Sequence, residues 1–116
     1  MDSDSIRTYC LSLPAVTEKI QWGNNLLLCI GGKMFAIMDL DVGNKVRISF
    51  KSTSENFAEL IEHDGIIPAP YLAHAKWVAL TRLNALDDAD LKRYLRESYE
   101  MVRAKLSKKA REKMKV

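Results

Sequence analysis

The sequence predicts an α+β fold, an antiparallel sheet of about four to five strands packed with three helices. Helical periodicity marks the beginning, middle and end of the chain. Apolar runs of strand length lie between these segments. Turns of hairpin length join the early strands, and such short connections require antiparallel neighbours. A length of 116 residues is that of one domain, and residues 1–116 are read as one.

Residues 2–13 read as the first helix. Ser3 or Ser5 can cap it, and Asp2 and Asp4 suit the positive end of its dipole. Ile6, Cys10 and Leu13 recur at helical spacing, with Tyr9 extending the stripe. Pro14 stops the helix, because the residue before a proline is pushed out of helical geometry. Residues 15–24 read as an irregular or extended link ending in Trp22-Gly23-Asn24.

Asn25 to Ile30 is an apolar strand, and Gly31-Gly32 is a turn whose residues both tolerate positive φ. Lys33 to Asp39 is the return strand. Met34, Ala36 and Met38 fall on one face and Phe35 and Ile37 on the other, so it is central or covered by helices. Asp41-Val42-Gly43-Asn44 is a second turn. Lys45 to Lys51 alternates strictly. Val46, Ile48 and Phe50 form the inner face, while Lys45, Arg47, Ser49 and Lys51 form the outer one.

Thr53 or Ser54 can cap a second helix running to about His63, with Phe57, Leu60 and Ile61 as its buried stripe. Asp64-Gly65 closes it. Ile66 to Pro70 reads as a proline-broken connector, Tyr71 to Ala75 as a turn or short helical piece, and Lys76 to Leu83 as the fourth strand. Asp87 caps the last helix, expected over 88–106, with Leu91, Tyr94, Leu95, Ser98, Tyr99, Val102 and Leu106 on its period. From about 107 onward the chain reads as a basic tail that frays.

Composition excludes several classes. With 47% hydrophobic and 28% charged residues, the chain is neither a disordered segment nor a coiled-coil rod. Cys10 and Cys29 stand far apart, without metal-ligand or redox spacing, and read as small buried residues in a reducing compartment. Met1 to Ser5 carries two aspartates and no apolar block, and the longest apolar run, Leu26 to Ile30, is far too short to span a bilayer. The expectation is a cytoplasmic protein with no membrane partner.

No catalytic or metal-binding constellation is visible. His63 and Asp64 are adjacent, which does not place them on one helix face, and His74 stands apart. No GxSxG element or phosphate loop occurs. Gly31-Gly32-Lys33 is a hairpin tip followed by a solvated lysine. Asp87, Asp88 and Asp90 are accounted for by helix capping. No cofactor and no enzymatic activity are expected.

The cations carry more information. Residues 101–116 hold seven basic side chains and one acidic one, a balance of +6, whereas residues 1–100 sum to −3. A basic helix end and tail attract polyanions, and cations also suit a helix C-terminus. Lys45, Arg47 and Lys51 on the strand face, with Lys76 and Arg82, and Lys105, Lys108 and Lys109 near the C-terminus, are the candidate phosphate contacts. The same strand face also reads as an ordinary solvated surface. Trp22, Tyr71, His74 and Trp77 lie in or beside irregular segments. They are candidates for a pocket that holds a small molecule or peptide, and such aromatics also serve as core or rim packing.

Leu11-Ser-Leu-Pro-Ala-Val-Thr-Glu18, Gly31-Gly-Lys-Met-Phe-Ala36, Pro70-Tyr71 with Lys76-Trp77-Val78, and Leu95-Arg-Glu-Ser-Tyr-Glu-Met-Val-Arg-Ala-Lys-Leu106 together resemble the MmcQ/YjbR-like family of small bacterial proteins. The likeness runs in order from about residue 4 to 113. It implies a CyaY-like α+β domain. Members commonly carry a DNA-binding label through likeness to a "double wing" domain, an analogy of fold, and many are of unknown function. One departure stands out. The family's Tyr-His-Met-Asn-Lys pattern ahead of the tryptophan is replaced by the shorter Tyr71-Leu-Ala-His-Ala-Lys-Trp77, which has no histidine after the tyrosine. The leading expectation is a binding module making weak, phosphate-mediated contact with nucleic acid. The alternative is a small-ligand or protein-interaction domain built on the aromatic pocket.

Overall fold

The computed structural model describes residues 1–41 and 43–116. Val42, part of the expected second turn, lies outside the described residues. The elements in chain order are α1 (Ser3–Ser12), β1 (Val16–Gln21), β2 (Asn25–Ile30), β3 (Lys33–Asp39), β4 (Ile48–Lys51), α2 (Ser54–Leu60), β5 (Ile66–Pro68), a 3-10 turn (Ala73–Ala75), β6 (Trp77–Leu80), α3 (Asp88–Ala104) and α4 (Lys108–Met114). The six strands form one sheet in the order β1-β2-β3-β4-β6-β5. Every neighbouring pair is antiparallel. The predicted α+β class therefore holds, with one strand and one helix more than expected.

Three of the helices start at side-chain caps the sequence offers. Asp2, rather than Ser3 or Ser5, caps α1 by accepting from the Ser5 amide at 2.8 Å. Thr53 caps α2 and Asp87 caps α3 in the same way. α1, α2 and α3 cover one face of the sheet. Ile6, Cys10, Leu91, Leu95 and Tyr99 there meet Leu28, Ile30, Phe35, Ile48, Phe50 and Val78 in the main core. Phe35 and Tyr99 pack edge to face at 5.5 Å. The β2–β3 hairpin turns through Gly31 (φ +59°) and Gly32 (φ +78°), as its two-residue loop requires.

Four expectations are corrected. The link at 15–24 contains edge strand β1, whose residues are mostly exposed, so no apolar face announced it. The connector at 66–70 begins with β5, paired to β6. The C-terminal segment does not fray: Ser107 caps α4, and Ala110, Met114 and Val116 pack on the main core.

The fourth correction concerns the alternating strand. Regular pairing covers only Ile48–Lys51, and Ser49 is buried rather than solvated. The Arg47 amide donates to the Leu80 carbonyl, the residue registered against Ile48. Two residues therefore face one, the alternation slips, and Val46 packs on the sheet face opposite Ile48. That face is only partly open to water, because the chain between β5 and β6 folds back over it. Ala69, Trp77 and Ala79 form a second small core there, with Met34, Ile37, Val46, Leu72 and Ala75 packed around it.

Candidate ligand-binding site

The helix-free face of the sheet carries a pocket of about 570 Å³, a size typical of small-molecule sites. Met34, Ile37 and Ser49 come from β3 and β4. Pro70, Tyr71 and Leu72 come from the segment folded over the face. Met34 reaches this side because of a bulge: Leu28 pairs with Ala36 but Cys29 pairs with Met34, leaving Phe35 as the extra residue. Phe35 can then fill the main core while its neighbour lines the pocket.

Trp22 and Tyr71 stand at the pocket from two separate loops. They are 64% and 96% exposed, well outside the usual range for large aromatics in a small domain. Both have left-handed backbones, φ 51° and 66°, a conformation that costs a non-glycine residue about 1–2 kcal/mol. The Trp22 carbonyl accepts from Asn25 Nδ2 at 2.9 Å, which ties the turn to β2. Asp39 sits at the same end. Its carboxylate accepts from the Asp41 amide at 2.8 Å and from Asn44 Nδ2 at 2.7 Å.

The other two aromatic-pocket candidates lie elsewhere. Trp77 is buried, below the mouth rather than at it, in the second core. His74 lies exposed on the 3-10 turn and does not line the pocket.

At the opposite end of β3 a smaller recess of about 170 Å³ is lined by Lys33, Met34, Lys51, Trp77, Val102 and Lys105. Lys51 Nζ donates to the Ala75 carbonyl at 3.0 Å, holding the folded-over segment against the sheet. Burial pushes its pKa down, and the nearby charge of Lys105 pushes the same way. Lys51 and Lys105 thus meet, joined by Lys33, which the sequence offered only as a solvated residue of a hairpin tip. The proximity of that tip to the end of α3 has no local signature.

The remaining basic candidates are dispersed. Lys45 is exposed beyond the other end of β4, roughly 20 Å from Lys51 at strand rise. Arg47 is half-buried. Arg82 pairs with Asp64 at 3.2 Å, and Lys76 Nζ sits 5.2 Å from the Phe57 ring centre. Lys108 approaches Glu112 at 4.0 Å, and Lys109 is exposed on the same helix.

Among the described residues no cluster of three or more His, Cys, Asp or Glu side chains could hold a metal ion. Burial pushes the Cys10 thiol up to about 12 and raises that of Cys29, so neither is poised as a thiolate at neutral pH. No helix among those residues is long and apolar enough to cross a membrane.

Comparison with solved structures finds a likeness over nearly the whole chain. The crystal structure of the Deinococcus radiodurans protein DR2400, which carries a DUF419 domain, superposes with a TM-score of 0.84. Sequence identity is 26%, and the match covers 97% of this chain and 87% of that one. No curated protein matches the chain. Residues 11–101 match the YjbR family, a span holding the whole sheet, the folded-over segment and most of α3, and the chain belongs to that family.

Proposed function

We propose that this protein is a small-molecule binding module whose ligand occupies the pocket on the helix-free sheet face. One observation carries the reading: two exposed aromatics, Trp22 and Tyr71, are held at unfavourable φ beside an apolar cavity. Strained, solvent-facing large side chains cost free energy in the empty protein, and such strain clusters at ligand sites. The pocket has the usual composition of one, a mainly apolar lining with a few polar groups (Asn25, Asp39, Ser49) to orient the ligand. A titration of the isotope-labelled protein with small aromatic and aliphatic compounds tests it. Binding should shift the Trp22 indole and the amides of β3 and residues 70–72. If no compound moves these signals at millimolar concentration, the reading fails.

A second reading, weak contact with nucleic acid, draws on the meeting of Lys33, Lys51 and Lys105 near the basic α4. Such contacts go to phosphates, carry no sequence preference and weaken steeply with salt. Fluorescence anisotropy with duplex and single-stranded DNA at about 50 mM salt tests it. Binding should weaken in the double variant Lys33→Glu, Lys105→Glu, whereas no binding to either form at that salt ends the reading.

A further inference from the structure

The pocket and the lysine recess are neighbouring cavities that share a wall, and together they read as one groove. Met34 lines both. Ser49 in the pocket and Lys51 in the recess are two residues apart on β4 and therefore share a sheet face. Trp77, registered against Lys51, lines the recess and packs beneath the pocket. Along β3 the groove extends from Lys33 and Met34 to Asp39, about 16 Å from Met34 at strand rise.

The groove is electrically polar. Three lysines and no acidic residue line the recess, whereas Asp39 lines the pocket at its far end. Lys51 spends one of its donors on Ala75, which leaves two for a ligand. Burial first, and then the charge of Lys105, lowers the pKa of Lys51, so an anion in the recess would offset both. At about 170 Å³ the recess suits a compact head group, and the apolar cavity of about 570 Å³ suits a larger body.

We infer that the ligand is an anionic amphiphile. Its phosphate or carboxylate head lies among Lys33, Lys51 and Lys105, and its apolar body lies along Met34 and Ile37 toward Trp22 and Tyr71. This rests on the ligand-binding reading above and adds a charge and a direction to it. The lysines select the anion, and Asp39 disfavours the reversed orientation.

Calorimetric titrations with octyl phosphate, octanoate, 1-octanol and inorganic phosphate, each kept below any micelle concentration, provide the test. Octyl phosphate, octanoate or both should bind at least ten-fold more tightly than octanol, and the better of the two identifies the head group. The advantage should shrink with added salt and in Lys105→Gln, an exposed substitution, and shrink further in Lys33→Gln with Lys105→Gln, two exposed positions outside the apolar pocket, while octanol binding stays the same. Thermal melts confirm that the variants fold. If octanol binds as tightly as both anions, or the anion advantage is undiminished in folded Lys105→Gln and in the double variant, the inference is overturned while the pocket stands. If none of the alkyl probes binds, both readings fall.

Discussion

The hydroxyl of Ser98, fully buried on α3, donates to the carbonyl of Phe35 at 2.6 Å. The same oxygen accepts from the Lys51 amide at 3.0 Å. The β3–β4 ladder runs from Met38↔Ile48 to Ala36↔Phe50. The next pair in register is Phe35 with Lys51, and the bulge has displaced it. Ser98 stands in for the missing contact and joins helix, bulge and candidate site. Ser98→Ala leaves a donor and an acceptor buried without a partner. Urea unfolding should show a loss of about 2 kcal/mol, whereas an exposed change such as Lys109→Ala should move stability by less than about 0.5 kcal/mol.

Tyr71 separates stability from binding. Tyr71→Gly relieves the left-handed strain, and its side chain buries almost nothing. After the entropy cost of glycine, the variant should be as stable as the parent or more so by up to about 1 kcal/mol. Its affinity for octanol should nevertheless fall several-fold. A melt and a titration on the same sample check both halves.

The two glycines of the β2–β3 hairpin should respond unequally. A Cβ on Gly31 would come within 2.9 Å of Leu106 Cδ1 and Cδ2, whereas one on Gly32 meets nothing within 4 Å. Both substitutions carry the strain of positive φ, about 1–2 kcal/mol. Gly31→Ala should be the more damaging because it also displaces the contact between the hairpin and the end of α3. Equal losses in denaturant unfolding would contradict this.

Acid should weaken the fold through two carboxylates. Hydrogen bonds from Arg7 hold the pKa of Glu18 below its ordinary 4.5, and the Ser5 amide, in the α1 cap, holds that of Asp2 below 3.8. A carboxylate depressed in the folded state contributes stability that is fully present above its ordinary pKa. That stability fades as pH falls through the lower, folded value. The urea midpoint should therefore hold steady above about pH 5 and drop below about 4.5. Glu18→Gln should flatten part of that drop.

Thiol chemistry should report unfolding. Cys10 and Cys29 are both buried, and burial raises the pKa of both thiols. Ellman's reagent at pH 8 should react slowly with the native protein and release two equivalents quickly in denaturant. Rapid native labelling of either cysteine would contradict the burial.

Elements marked by a local chemical device were legible in the sequence. Thr53 and Asp87 cap their helices, Gly31-Gly32 turns its hairpin, and the period of α3 runs from Leu91 to Val102. Elements that depend on distant partners were not. β1 is an edge strand with little buried surface, β5 is three residues ending in a proline, and the segment of α4 and Val116 hides three apolar contacts in a run of cations. The site divides in the same way. Trp22 and Tyr71 were visible as aromatics in irregular chain, whereas Lys33 required knowledge that a hairpin tip abuts the end of a helix. The strict alternation around Val46 misled, because alternation assumes an unbroken ladder.

The two faces of the sheet are closed by different materials, three helices on one side and little more than the strap from Ala69 to Ala75 on the other. Substitutions in the strap leave the helix-side core untouched, so natural variation can reshape the pocket without endangering the fold. It is on this strap that the chain departs from the sequence pattern it otherwise resembles. The strap is thus a place where sequence change costs the helix-side core nothing, a division of labour between the two faces of one sheet.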